Sequence, residues 1–395
     1  MHSYIEKPTL PVEVTDKTPL DCLNLNWQER DLPEKERTKH VHRLHPYLGK
    51  FIPQLVEIFL RKYFKPGQTV LDPFCGSGTT LIQANELNIN SIGYDISVFN
   101  VLLSKVKTEK YNIDNLKKEV LDIIGKVSMV AKKGEQLGLW EDKLDISADN
   151  EYLRKWFASQ ALCELMTYHH LIETEGYEYK DLLKIILSRA ARSARLTTHF
   201  DLDFPKIPQT EPYWCYKHSR ECVPTTEAFK FLRRYSVDTI KRIIDFSSKR
   251  TNAFVKVYHR DSRKNVFQPI DGVITSPPYV GLIDYHEQHA YAYHLLGLED
   301  RRDKEIGSAS NGLSKKAQKL YQENLAEVFI RAKDAMPKGG RIIIVAADTK
   351  KLYEEIAHLS GMEIEGIINR HVNRRTGRRA NKFYESVFIW KKKDS

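Results

Sequence analysis

Cysteine is scarce in this chain: five residues in 395 (Cys22, Cys75, Cys163, Cys215 and Cys222), odd in number and scattered. That is too few to staple a chain of this length, so the thiols are expected to be reduced. No stretch approaches the roughly 18 consecutive apolar residues that a membrane span needs, which excludes a transmembrane protein. The first residues, MHSYIEKPTLPVEVTDK, lack a basic segment followed by an apolar run. No secretory signal is read there, and a cytoplasmic protein with no membrane partner is expected. There is no phosphate loop of the G-x-x-x-x-G-K-[ST] kind and no Pro-Cys dipeptide. Internal repeats and low-complexity tracts are absent too.

What is present is ordinary in bulk and biased in charge. Hydrophobic residues make up 41% and charged residues 29%, the balance of a soluble globular protein. The length leaves room for two domains, or for one domain with a large insertion. Lys and Arg number 62 against 52 Asp and Glu, a formal net charge of +10. The chain therefore favours anionic partners, nucleic acid first among them, although many soluble proteins are mildly basic without binding any.

Hydrophobic spacing divides the chain. Residues 1–44 carry Pro8, Pro11, Pro19 and Pro33 with little periodicity and read as an irregular arm. Leu55, Ile58, Phe59 and Lys62 in PQLVEIFLRKY recur at helical spacing, and KPG at 65–67 ends that helix. A buried strand at 69–71, a glycine turn at 72–78, a helix from Thr79 to about Leu87 and a strand at 91–94 form one βαβ unit. From about Lys105 to Arg250 the pattern turns helical. Strands resume at 254–258, 272–275, 341–347 and 383–390. The expected architecture is α/β: a catalytic domain in two parts, 45–104 and 253–395, interrupted by a mostly helical insertion at 105–252.

The turn VLDPFCGSGTT places Phe74, Gly76 and Gly78 between a strand and a helix. Glycines there let backbone approach a ligand, and the helix N-terminus offers free N–H groups. The third glycine of the dinucleotide fingerprint is missing, since position 81 is Leu, so NAD is disfavoured. A nucleoside cofactor needs acceptors for ribose hydroxyls and an adenine amino group. Asp95, after the second strand, and Asp261, in VKVYHRDSRK, stand at strand ends suited to that role. Asp72 either orders the turn or meets an ammonium group of the ligand.

Thr275 to Tyr279, TSPPY, directly follows the apolar run 272–274. Consecutive prolines hold Ser276, Pro277 and Pro278 extended and rigid. Methylating an exocyclic amine requires its lone pair to be freed from ring conjugation, which acceptors for its N–H bonds promote. The Ser276 hydroxyl and the Pro277 carbonyl are the candidate acceptors, and Tyr279 offers a face on which a flipped base can stack.

These residues resemble the amino-group-modifying DNA methyltransferases, over roughly 45–104 and 253–395. The resemblance implies a Rossmann-like sheet and S-adenosylmethionine as cofactor. It makes DPFCGSGTT the cofactor loop, with Asp72, Phe74, Cys75, Gly76, Gly78 and Thr79. It assigns Asp95 to the ribose, Asp261 to the adenine side and Ser276–Tyr279 to catalysis. Lys50 and Phe51, in HPYLGKFIPQLVEIF, resemble the segment over the methionine end of the cofactor, and Gly281, Asp284 and Tyr285 a target-base lining. In that family S-P-P-Y is more typical of N4-cytosine enzymes, and D-P-P-Y and N-P-P-Y of N6-adenine enzymes. The resemblance implies N4 methylation of cytosine in double-stranded DNA, as the modification half of a restriction-modification system whose cognate endonuclease acts at the same site. N6-adenine methylation and an RNA base amino-methyltransferase are the alternatives, followed by a non-catalytic DNA-binding regulator. One departure is notable: the insertion, the expected target-recognition region, falls before the Asp261 strand, whereas such regions usually follow it.

A cytosine-C5 enzyme needs a nucleophilic cysteine, typically in Pro-Cys. None is present, so direct transfer to nitrogen is expected. Arg189, Arg192 and Arg195 recur every three residues on one helix, and Arg374, Arg375, Arg378 and Arg379 crowd the segment after Arg370; both groups are expected to contact DNA phosphates. Cys215, His218 and Cys222 have the spacing of three zinc ligands, but no fourth is evident, so no metal is expected. Tyr213, Trp214 and Tyr216 beside them either contact DNA or pack. The polar stretch from Arg301 to Lys316 is a candidate lid.

Overall fold

The computed structural model describes residues 7–132, 150–203, 205–280, 285–307, 312–372 and 383–393. Arg374, Arg375, Arg378 and Arg379 lie outside these residues, as do Gly281 and Asp284.

Pro at the first helical position and the apolar face of PQLVEIFLRKY produce α2 at Pro53–Tyr63, preceded by a single helical turn, α1, at Glu34–Arg37. Then come β1 (Thr69–Asp72), α3 (Thr79–Glu86), β2 (Asn90–Asp95) and α4 (Val98–Thr108), the last capped by Ser97, whose hydroxyl accepts from the Asn100 N–H. The helical segment comprises α5 (Ile113–Lys132), α6 (Glu151–Trp156), α7 (Ser159–Thr174), α8 (Lys180–Ala194) and α9 (Phe229–Ser247). A short antiparallel hairpin, β3 (Tyr213–Cys215) with β4 (Arg220–Cys222), interrupts it. The chain returns through β5 (Val255–His259), β6 (Gly272–Thr275), α10 (Tyr285–Gln288), α11 (Ala290–Leu296), α12 (Lys315–Ala335), β7 (Arg341–Ala346), α13 (Tyr353–Ser360), β8 (Glu363–Val372) and β9 (Phe383–Lys391).

Seven strands form one sheet in the order β5-β2-β1-β6-β7-β9-β8. Pairings are parallel except for β9, which runs antiparallel to both β7 and β8. The order reverses between β1 and β6, and at such a switch point the loops leaving the two strands diverge and open a crevice at their carboxyl ends. The expected Rossmann-like sheet is present. Three strands, β3, β4 and β8, are not legible in the sequence. The hairpin's three-residue strands are too short for periodicity to show, and β8 is a largely exposed edge strand in which acids alternate with apolar residues.

Three apolar clusters hold the layers. One joins the helical segment to the sheet's own helices: Ile82, Phe99 and Leu103 pack with Leu116, Leu165, Leu183 and Ile186. A second lies between β6, β7, β9 and helices α12 and α13, centred on Phe329 and Trp390. In the third the N-terminal arm becomes a cap, with Leu25, Trp27 and Leu32 buried with α2 and the sheet residues Val387 and Ile389. No described helix is long and apolar enough to cross a membrane.

Candidate functional site

The crevice at the switch point is a cleft of about 760 Å³, part of it open to solvent. Its wall includes Lys50, Phe51, Phe74, Cys75, Gly76, Thr79, Asp95, Asp261, Ser276 and Pro278, which the sequence reading had spread over 229 positions. Asp72, Gly78, Pro277 and Tyr279 do not line it.

The glycine turn is bent as its residues require. Gly76 and Gly78 take φ of +49° and +78°, left-handed values that side chains disfavour. A Cβ on Gly76 would lie 3.0 Å from the Tyr47 hydroxyl, and one on Gly78 2.9 Å from Ser104 Oγ. Helix α4 braces the turn from beneath. Ser104 Oγ donates to the Gly76 carbonyl at 2.8 Å and Lys107 Nζ to the Ser77 carbonyl at 2.8 Å. Lys107 is almost wholly buried, and that desolvation holds its ammonium well below the usual lysine range.

Asp72 orders the loop rather than facing the cleft. It is 1% exposed. Its Oδ1 accepts from Thr275 Oγ1 at 2.6 Å and from the Phe74 N–H at 3.2 Å, tying the start of the glycine turn to the residue just before Ser276. Burial pushes its carboxyl up to about 6 against those hydrogen bonds.

Asp95 sits in the cleft and joins both of its walls. The Gly76 N–H donates to it at 2.9 Å, the Ser97 N–H at 2.8 Å and Asn100 Nδ2 at 3.1 Å. Burial raises its carboxyl despite these three donors. A carboxylate has about four lone-pair sites, so capacity remains for one further donor such as a hydroxyl. Asp261 is engaged differently. Arg263 grips it with Nε at 3.0 Å and Nη2 at 2.7 Å, and its own N–H adds a third bond at 3.0 Å. Burial alone would raise this carboxyl; Arg263 outweighs burial and holds it below the usual range. Lys50 Nζ donates to the His42 carbonyl at 2.6 Å, and burial lowers its ammonium to about 8, with Arg43 and Arg242 adding to the effect.

The TSPPY segment forms the partition between two clefts. Ser276 Oγ donates to the Val345 carbonyl on β7 at 2.9 Å, which turns its lone pairs away from β7. The Pro278 carbonyl accepts from Tyr321 Oη at 2.9 Å, whereas the Pro277 carbonyl takes no hydrogen bond from the described residues. Tyr279 lines the second cleft, about 440 Å³, with Val280, Asp348, Lys350 and Tyr353. Its hydroxyl is 3.1 Å from Glu385 Oε1.

Sequence reasoning had passed over several wall residues: Tyr47, Asn100, Arg260, Lys304 and Glu305. Asn100 had a local signal, one turn into a helix that begins just after Asp95. Lys304 and Glu305 belong to the polar stretch expected to act as a lid, and here they meet the cleft. Nothing local could reveal that Glu305 also contacts the buried His286 at 2.5 Å.

The helix arginines are not displayed for phosphates. Arg189 is 8% exposed, binds Asp238 at 2.5 Å and lies over the Tyr235 ring at 4.2 Å. Arg192 pairs with Asp203. Arg195, 2% exposed, donates to the Leu202 carbonyl at 2.6 Å and stacks over Tyr291 at 4.5 Å. Arg189 and Arg192 lie on α8 and meet acids, whereas Arg195 falls just past the helix in extended backbone and is held by a carbonyl and a ring.

Comparisons with known proteins agree with this geometry. A family model described as DNA methylase matches residues 13–106, and one described as Methyltransferase domain matches residues 64–192. The type II methyltransferase M.MjaII of Methanocaldococcus jannaschii is 40% identical over 430 residues, covering 90% of this chain and 81% of that protein. The type II methyltransferase M.BsoBI of Geobacillus stearothermophilus is 26% identical, covering 70% of this chain and 56% of that protein.

Proposed function

The chain belongs to the S-adenosylmethionine-dependent type II DNA methyltransferases that modify base amino groups, and within that family we propose that its target is the exocyclic N4 of cytosine in duplex DNA. The cleft suits the cofactor: two left-handed glycines whose Cβ positions are filled by Tyr47 and Ser104, a loop anchored from below, and carboxylates at the ends of β2 and β5. When bound, S-adenosylmethionine supplies an electrophilic methyl group on its sulfonium.

The residues of this chain position the target. A base amino nitrogen is a poor nucleophile because its lone pair is delocalised into the ring. Two acceptors for its N–H bonds draw it toward tetrahedral geometry. The Ser276 hydroxyl spends its own proton on the Val345 carbonyl and so meets the amino group as an acceptor; this is the observation that carries the reading. The Pro277 carbonyl is the second acceptor, held in place by the rigid Pro-Pro pair. Tyr279, facing the smaller cleft, supports the base ring by stacking. Transfer would break the methyl–sulfur bond as the N–C bond forms, leaving a neutral thioether, and the surplus proton on nitrogen would go to water, so positioning and electrostatics dominate. Cys75 takes no covalent part, because burial pushes its thiol well above its usual range.

Residues 105–252 form the proposed target-recognition region. The exposed Trp214 and Tyr216 of the hairpin, with Lys217 and Arg220 beside them, support it. Lysines and arginines in the segment after Arg370, including Arg374, Arg375, Arg378 and Arg379, are proposed to meet phosphates. The type II relatives support a role as the modification half of a pair with an endonuclease of the same site. Mass spectrometry of nucleosides from DNA of cells expressing the chain tests the target, with N4-methyldeoxycytidine the expected product. N6-methyldeoxyadenosine in its place would overturn cytosine and keep the chemistry. Preferential transfer of labelled methyl to tRNA over duplex DNA would overturn the DNA reading.

A further inference from the structure

Away from the cleft, the fold gathers four soft ligands that the sequence had shown only as three. Cys215 ends β3, Cys222 ends β4, His218 lies in the turn between them, and His199 comes from the loop following α8. Their candidate ligand atoms all lie within 4.8 Å of one another. We propose that His199, Cys215, His218 and Cys222 form a structural zinc site.

Three of the six ligand–ligand separations match a tetrahedral site, and the others lie within 4.8 Å. With Zn–S near 2.3 Å and Zn–N near 2.05 Å, a regular site has S···N edges of about 3.5 Å. Here His199 Nδ1 is 3.4 Å from Cys215 Sγ, His218 Nδ1 is 3.6 Å from Cys215 Sγ, and His218 Nδ1 is 3.5 Å from Cys222 Sγ. The two imidazole rings meet edge to face at 4.6 Å between centroids. Two thiolates and two neutral imidazoles balance a divalent charge. That donor set suits zinc and excludes calcium and magnesium, which take oxygen ligands.

Among the described residues the hairpin is held by few contacts besides its own ladder. Each strand of the hairpin has three residues, and an isolated two-stranded hairpin is marginal in water. Its side chains do not form a core of their own: Trp214 is 57% exposed and Tyr216 79%, while the two cysteines point inward. Ser219 closes the turn at φ +50°, a left-handed value that brings His218 back between the cysteines. His199 extends the cluster across sequence. Tyr213 Oη accepts the His199 backbone N–H at 3.2 Å and lies 3.2 Å from its Nδ1, holding the ring against the hairpin before a metal binds. An ion at this point cross-links the end of α8 to the hairpin and supplies folding energy that the short strands cannot.

The test uses the full chain, purified without chelator under reducing conditions and freed of any affinity tag. Elemental analysis is expected to find about one zinc per chain, lost in the Cys215→Ser/Cys222→Ser double variant and greatly reduced in His199→Gln and His218→Gln. The two histidine variants keep the test decisive if the double variant fails to fold. Cobalt(II) exchanged into the wild type is expected to give the visible bands of a tetrahedral centre together with thiolate-to-metal charge transfer. A folded wild-type chain that carries no zinc and takes up neither metal would overturn the proposal. So would a Cys215–Cys222 disulfide in protein extracted with thiols blocked.

Discussion

The chemistry of single residues here is set by what each spends its hydrogen bonds on. Ser276 gives its proton to Val345 and is left an acceptor. Ser276→Ala removes that acceptor without disturbing the buried Pro277, and kcat is expected to fall about 100-fold. The KM for DNA should be almost unchanged, as steady-state kinetics on a duplex substrate will show; a raised KM with unchanged kcat would sink the assignment. Asp72 illustrates the cost of burial. Its carboxyl, displaced from 3.8 to about 6, stays protonated in the folded chain over a range where it ionises in the unfolded chain. Folding is therefore favoured below about pH 4, and that contribution is lost as pH rises to about 6, amounting to roughly 3 kcal/mol. Asp72→Asn keeps the shape and the acceptor for Thr275 while removing the titration. Urea denaturation of both proteins from pH 4 to 7 should show the wild type losing stability relative to the variant as pH rises, and a constant difference would contradict the assignment.

At the scale of elements, α8 shows how charge spacing can mislead. Arg189 and Arg192 lie on α8 and Arg195 just past its end, and the spacing reports only that a helix is present, not where it stops or what lies against it. Arg189 is held by Asp238 and Tyr235; Asp238 also binds Arg242 at 2.8 Å. Arg189→Ala should lower stability by about 2–3 kcal/mol, since Asp238 keeps its second partner. The slope of DNA affinity against salt should be unchanged, because no phosphate contact is lost. A shallower slope at unaltered stability would restore the phosphate role. The glycine turn, by contrast, is legible locally: strand, Gly-x-Gly and helix dictate the loop, and α4 only tightens it.

Across the whole molecule, one apolar cluster joins the sheet's helices to the helical segment, with Phe99 at the junction. Its ring is fully buried and packs at 4.7 Å from His289 and 5.2 Å from His45. Sheet and helical segment are therefore expected to unfold together. Far-UV and near-UV transitions in urea should coincide, and Phe99→Ala should shift both by about 3–5 kcal/mol. Two separated transitions would show that the helical segment folds independently.

The sequence by itself determined the α/β class, the glycine and Pro-Pro turns and about half of the cleft wall, because turns built on Gly76, Gly78, Pro277 and Pro278 depend on backbone preferences of a few adjacent residues. It also supplied Asp95, the last residue of β2, and Asp261, two residues past β5. What tertiary structure alone decided are pairings between distant residues: Ser276 with Val345, Asp72 with Thr275, Arg189 with Asp238, and His199 with the Cys215–Cys222 hairpin. Such contacts leave no periodic or local trace, since they arise only when packing brings separate elements to within a hydrogen bond's reach.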